Sequence, residues 1–182
     1  MNVKHPIVIG NKDVEFVSSY KYLGCIIQDD LKWNVHVDTQ TKKAEKRMYV
    51  VRSLKKVHVD CKLIAMFYNS IVSSVLNYVI SSWYNACTAK EKRDVNKCKR
   101  KVCKMVSPEC TSMIDDPESV CNSKIVAMTK KILKIDSHPL HQYFQLLPHG
   151  SRLNVRYCRT NRYKQTFVPS AIKLYNNTTS AV

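Results

Sequence analysis

Glycine is scarce in this chain, 3 in 182 residues, and that scarcity excludes several designs. A loop that cradles phosphates needs closely spaced glycines, and a turn-rich β sandwich needs many positions that tolerate positive φ. Acidic residues are also few. Asp and Glu number 14 against 30 Lys and Arg, whereas polymerase or nuclease chemistry on divalent metals calls for clustered carboxylates. The candidate pairs, Asp29-Asp30 and Asp115-Asp116, read as a turn and a helix cap instead. No C-x-x-C pair occurs among the cysteines, which argues against a zinc knuckle. The absence of a charged-then-apolar leader implies an intracellular protein, in nucleus or cytoplasm and not secreted, with reduced cysteines that mostly fill small core positions. No phosphate-loop, nucleophile-elbow or H-E-x-x-H motif appears. Accordingly no catalytic residue, metal or cofactor is expected of this chain.

What remains is positive charge and helical periodicity. A formal charge of +16 exceeds what solubility needs and points to a polyanion, nucleic acid ahead of an acidic membrane. Lys62 to Ala86, KLIAMFYNSIVSSVLNYVISSWYNA, is the longest nearly charge-free apolar run. Leu63, Met66, Phe67, Ile71, Val75, Tyr78 and Ser82 recur at the helical step, with further apolar residues around the circumference. Asn69, Ser70, Ser73, Ser74 and Asn77 interrupt it, so a central buried helix fits better than a membrane span. The serine–asparagine row predicts a packing seam.

Flanking this run, Val35 to Lys56 predicts a helix with its seam at Val37, Thr41, Ala44, Met48, Val51 and Leu54. Lys42, Lys43, Lys46 and Arg47 cover its outer face. Asp60 is a fair cap for the apolar helix. Thr88 and Glu91 form a capping box for a third helix, whose basic residues include Lys97, Arg100, Lys101 and Lys104. Asp116-Pro117 opens a fourth, with Cys121, Ile125, Met128, Ile132 and Ile135 inward. Before these helices, Val3 to Asn11 looks extended. Lys12 to Asp30 predicts two short strands joined by Ser18 and Ser19, the second dense and buried, with Gly24 as a bulge or close backbone approach. After the helices, the chain mixes Tyr143, Phe144, Tyr157, Tyr163 and Phe167 with Arg152, Arg156, Arg159 and Arg162. That mixture suits single-stranded nucleic acid, guanidinium on phosphate and ring on base, or equally an irregular segment anchored by its rings. A short helix from Pro169 to Asn176 closes the chain. The fold class is thus mainly α: an N-terminal β-hairpin (residues 1–32), a basic helical bundle (33–136) and an irregular Arg- and aromatic-rich tail (137–182).

One pattern hints at other chemistry. His36-Val37-Asp38 is H-x-D, and His138, His141 or His149 could complete a two-histidine, one-carboxylate iron site. Arg156 and Arg162 have the R-x5-R spacing that AlkB-type dioxygenases use. That site is built on a β sandwich, however, and the chain between Asp38 and His138 reads as helix.

Taken in order, FVSSYKYLGCIIQDDLKWNVHVD, KKAEKRMYVVRSLKK, LIAMFYNSIVSSVLNYVISSWY, HPLHQYFQLLPHGSR and RTNRYKQTFVPSAIKLYNN resemble the C-terminal part of reverse transcriptases from LINE-type non-LTR retrotransposons, from Phe16 to Asn176. The resemblance implies that Tyr22-Leu23-Gly24 ends the palm and approaches the primer, and that the helices form a thumb gripping template–primer. It also implies RNA or an RNA–DNA hybrid as partner, with upstream reverse-transcriptase domains alongside. The palm's paired aspartates are absent from this sequence, so no polymerase activity is expected of it alone. A shorter stretch, KKAEKRMYVVRSLKKV, is similar to the N-terminal helical segment of the transfer-RNA-modifying AlkB homologue. That similarity implies a dioxygenase and methyltransferase context whose catalytic parts are absent here, and again association with RNA.

Overall fold

The structure, a computed structural model, describes residues 7–148 and 150–179. The first part of the extended Val3–Asn11 stretch and His149 lie outside the described residues. The chain opens with a minimal hairpin, β1 (Val8–Ile9) and β2 (Lys12–Asp13), followed by a second, β3 (Ser19–Tyr22) and β4 (Cys25–Gln28). Tyr22 pairs with Cys25, leaving Leu23 and Gly24 as a two-residue loop with φ of 44° and 87°. Positive φ at both positions is what a tight hairpin turn of this hand requires. The stretch from Tyr20 to Ile27 is therefore two strands, not one strand with a bulge. It is also largely exposed, with only Cys25 buried.

The helices follow. α1 (Asn34–Lys56) buries His36, Val37, Gln40, Ala44, Met48 and Val51. Asp60 caps α2 (Cys61–Phe67), its carboxylate accepting from the Lys62 N–H at 2.9 Å. A π turn (Tyr68–Ser73), α3 (Ser74–Leu76), α4 (Ile80–Trp83) and a 3-10 turn (Tyr84–Ala86) complete the apolar run. The expected single helix is therefore broken, and the parts on either side of residues 77–79 meet at 46°. Val79 adopts the left-handed conformation at φ 47°, which is strained for a β-branched residue. Tertiary contacts hold the break. Lys124 Nζ donates to the Asn77 carbonyl at 2.9 Å, and Trp83 Nε1 to the Tyr78 carbonyl at 3.0 Å. Carbonyls freed from the helix ladder are thus satisfied.

The inward face of this segment also differs from the expected one. Leu63, Met66, Ile71 and Tyr78 are exposed, while Ile64, Tyr68, Val72, Leu76, Ile80 and Trp83 are buried. Two members of the serine–asparagine row (Ser70, Ser73, Ser74, Asn77 and Ser81), Ser73 and Asn77, make hydrogen bonds to the loop at Asp115, as does Asn69 beside it. Asn69 Nδ2 donates to the Met113 carbonyl at 2.7 Å and its Oδ1 accepts the Asp115 N–H at 3.1 Å. One turn on, Ser73 donates to Asp115 at 3.1 Å and receives Asn77 Nδ2 at 2.8 Å. Steps of four residues along the helix line these groups up against one loop.

α5 (Ala89–Cys103) starts at the Thr88–Glu91 capping box, and Val95, Cys98 and Val102 point inward as their spacing predicts. α6 (Pro108–Thr111) is short; its Cys110 forms a disulfide with Cys61, so the expectation of reduced cysteines does not hold for this pair, which the cysteine spacing does not reveal. Asp116 caps α7 (Pro117–Lys134), which buries Cys121, Ile125, Thr129 and Ile132 and exposes Met128. α8 (Asn161–Lys164) and α9 (Phe167–Thr179) end the described chain, and α9 packs on α7.

Two cores result. Ala44, Met48, Ile64, Tyr68, Val72 and Cys98 belong to one, and Val37, Trp83, Val95, Ile125, Phe144 and Ile172 to the other. α1 and α5 span both, and the break at 77–79 lets the central segment serve each in turn. Among the described residues no single helix is long and apolar enough to cross a membrane; the bent pair Cys61–Leu76 and Ile80–Ala86 passes only by joint length and composition.

Candidate nucleic-acid interface

α1 and α5 run side by side in the same direction. Asp38 and Thr41 lie near Thr88 and Asp94, and Glu45 lies near Lys97 and Lys101. This arrangement sorts the predicted phosphate contacts by what they already bind. Lys42 pairs with Asp38 one turn earlier at 2.7 Å. Glu45 accepts Lys101 at 2.9 Å and Lys97 at 3.4 Å. The Lys101 hydrogen bond above all holds the Glu45 carboxyl below the usual carboxylate range. Arg47 is turned back to donate to the Ile71 carbonyl in the π turn at 2.7 Å, and Arg100 donates to the Arg93 carbonyl at 2.9 Å. Lys43, Lys46 and Lys104 are exposed, and among the described residues no carboxylate pairs with them. A shallow depression of about 490 Å³ runs along α5 between Lys97 and Lys104. Lys99, which also lines this depression, binds Asp116, and that contact lowers the pKa of the α7 cap.

The tail arginines are more constrained. Arg156 donates to the Gln142 carbonyl at 3.2 Å and lies over the Tyr143 ring, 5.2 Å from its centroid. Arg162 donates to the Asp30 carbonyl and so ties the tail to the hairpin region. Arg152 accepts the Leu147 N–H on its carbonyl at 2.7 Å, beside the Leu146–Leu153 bridge. Asn176 Oδ1 and Nδ2 clamp the Leu153 N–H and carbonyl at 2.8 and 2.9 Å. Arg159 is exposed without a carboxylate partner among the described residues.

At the hairpin, Tyr22 is exposed and Gly24 faces the helix break. A Cβ on Gly24 would lie 3.2 Å from the Tyr78 ring, and the Tyr78 hydroxyl donates to the Leu23 carbonyl. The close backbone approach expected at Gly24 is thus to Tyr78 of the same chain. The H-x-D residues do not converge. His36 is buried edge-on between Trp33 and Trp83, with Nδ1 accepting the Ile26 N–H at 3.3 Å. Burial, then the charge of Lys43, pushes its pKa down and keeps the ring neutral. Asp38 faces Lys42, His138 Nδ1 accepts the Leu140 N–H at 3.1 Å, and His141 meets Asp136. Among the described residues no cluster of His, Cys, Asp or Glu is placed to hold a metal ion.

Sequence reasoning overlooked Glu45 as the residue that neutralises part of the basic face, and Tyr78 and Lys124 as the groups that dock the hairpin and hold the break. Glu45 was visible as the one acid between Asp38 and Asp60, yet its partners are over fifty residues away. No curated protein and no solved structure matches the chain, and the reverse-transcriptase resemblance gains no support from these comparisons. A family model described as alkylated DNA repair protein alkB homolog 8, N-terminal, does match residues 33–74. Across α1, α2 and the π turn, the chain is therefore similar to the N-terminal region of that family.

Proposed function

We propose that this chain is a nucleic-acid-binding helical module for RNA or an RNA–DNA hybrid, with the exposed lysines of α1 and α5 as its main contact surface. The observation that carries this reading is the division of the cations. Lys43, Lys46 and Lys104 stand exposed and unpaired by carboxylate on one helix pair, so phosphates can replace their counterions without breaking an internal ion pair. The family match favours the context of alkB homolog 8, an association with transfer RNA whose dioxygenase and methyltransferase chemistry would belong to other domains. It overlaps α1 and four of the basic residues the sequence offers, Lys42, Lys43, Lys46 and Arg47, of which Lys43 and Lys46 stand unpaired by carboxylate among the described residues.

A second reading, the thumb and tail of a LINE-type reverse transcriptase, is favoured by the hairpin. Its Leu23-Gly24 turn sits on Tyr78 at the helix break, joining the stretch that resembles a palm end to the helices that resemble a thumb. Upstream reverse-transcriptase domains would then be partners, and the exposed Tyr22 would lie toward the primer, whereas Gly24 is turned to Tyr78. One experiment serves both readings. Fluorescence anisotropy with a labelled transfer RNA, an RNA–DNA hybrid and a DNA duplex, each across a salt series, measures binding and its slope. The module predicts tighter binding at low salt with a slope of roughly 0.9 per contacted phosphate on duplexes. Preference for transfer RNA favours the first context and preference for the hybrid the second. Absence of binding to all three refutes the module.

A further inference from the structure

The tail and the helices enclose a groove of about 990 Å³, at the upper end of the ~300–1,000 Å³ typical of small-molecule sites. Its walls come from four separate stretches: Asn85 to Lys92, Glu118 to Asn122, Val155 to Cys158, and Tyr163 to Asn177. The chemistry gathered there is uneven. Lys92, Lys164 and Lys173 line it with Arg156, whereas Glu118 is the only acid in the lining. Lys164 and Lys173 are exposed, and among the described residues no carboxylate pairs with them. Two rings, Tyr157 and Tyr163, stand at the groove 90% and 43% exposed. A tyrosine that exposed contributes little packing to the fold, but an unstacked base can cover it.

We propose that this groove holds one or two unstacked nucleotides of a single-stranded nucleic acid. A base stacks on Tyr157 or Tyr163, the flanking phosphates meet Lys164 and Lys173, and the amides of Asn85 and Asn122 face the base edge. Stacking platforms beside a cationic groove are how unpaired strands are held with little sequence preference. The proposal deepens the nucleic-acid reading and rests on it for the class of ligand alone. It assigns a site apart from the lysines of α1 and α5. Of the tail arginines that the sequence offers as contacts, Arg156 lines the groove and Arg162 lies outside its lining, and both are tied to other parts of the chain. Arg156 is held by Gln142 and Tyr143, and Arg162 by Asp30.

The test compares a labelled oligouridine with a blunt RNA–DNA hybrid by anisotropy, using the full chain. Tyr157→Ala is expected to weaken oligouridine binding by about 5- to 150-fold, the loss of one base–ring stack, and to leave the hybrid unaffected. Tyr157→Phe should restore most of the affinity, because the ring and not the hydroxyl does the stacking. Lys164→Glu with Lys173→Glu should lower the oligouridine salt slope by about 1.4, at roughly 0.7 per phosphate. Wild-type binding to the hybrid but not to oligouridine would overturn the groove and leave the helical surface standing, as would oligouridine binding indifferent to Tyr157→Ala and to the lysine pair. Binding to neither ligand would refute the nucleic-acid reading itself.

Discussion

Glu45→Gln should make this protein a tighter nucleic-acid binder. The carboxylate lies 2.9 Å from Lys101 and 3.4 Å from Lys97, with side chains 33% and 53% exposed against 39% for Glu45 itself. Exposed ion pairs of this kind contribute about 0–1 kcal/mol each, so losing both in the amide, which keeps the stem and one acceptor, costs the fold about 2 kcal/mol or less. The effect on binding has the opposite sign. Deleting one negative charge near an incoming phosphate removes about 1 kcal/mol of repulsion at 4 Å in a water-like dielectric, or about fivefold in affinity. Lys97 and Lys101, once released, can each take a phosphate, so the salt slope on a duplex should steepen by up to about 1.8, at roughly 0.9 per contact. Because its lysine partners lower the Glu45 pKa, the wild-type carboxylate stays charged through neutral pH, and the difference should be flat from pH 6 to 8. Anisotropy at several salt concentrations reads all three quantities, with urea unfolding as the control for stability. Unchanged or weaker binding with an unchanged slope would place the contact surface elsewhere than between α1 and α5.

Other perturbations probe the scaffold. Trp83 is fully buried and its indole N–H holds the Tyr78 carbonyl at the helix break; Trp83→Ala should cost about 3–5 kcal/mol, read as a lower urea midpoint, and a loss below ~1 kcal/mol would contradict the packing described. Val79 sits at φ 47°, where an L side chain costs roughly 1–2 kcal/mol and glycine's extra unfolded freedom about 0.5–1. Val79→Gly should therefore be neutral or stabilising by up to about 1.5 kcal/mol in thermal unfolding, and clear destabilisation would refute the strain. His36 has a folded pKa below its ordinary 6.5, so the unfolded chain binds the proton first. Its contribution is fully present above pH 6.5 and declines as pH falls from there through the lowered folded value. A fall in the urea midpoint between pH 7.5 and 5 should be smaller in His36→Gln, and equal slopes would contradict the buried neutral ring.

How much of this was legible in the sequence follows from how local each signal is. Helix starts were readable because a cap is a short-range hydrogen bond: Asp60, Thr88 with Glu91, and Asp116 all act as their spacing predicts. The break in the central helix was not, because Asn77-Tyr78-Val79 holds neither glycine nor proline and is secured by Lys124, 47 residues away, as well as by Trp83. The inward face was misassigned for a related reason. A segment apolar on most sides offers two plausible seams, and only its neighbours choose between them. At Leu23-Gly24 the glycine marks an irregularity in the sequence, but without the register a turn and a bulge look alike. The basic residues of the candidate interface were easy to name, yet their availability was not. Glu45 meets Lys101 across 56 residues, and Arg162 meets Asp30 across 132, distances at which no spacing rule operates. Charge composition gives only a net excess of cations; the fold separates lysines facing solvent, such as Lys43 and Lys46, from arginines tied to backbone carbonyls, such as Arg156 and Arg162.

The most direct test of the account is the salt dependence of binding to an RNA–DNA hybrid and to transfer RNA, wild type against Lys43→Glu/Lys46→Glu. Both lysines are exposed and pair with no carboxylate among the described residues, so the double change should leave the fold intact. The account predicts wild-type binding that weakens steeply with salt, and a variant whose slope on the better ligand is lower by about 1.8, at roughly 0.9 for each lost phosphate contact. A flat wild-type titration, or a variant that binds as the wild type does, would contradict it.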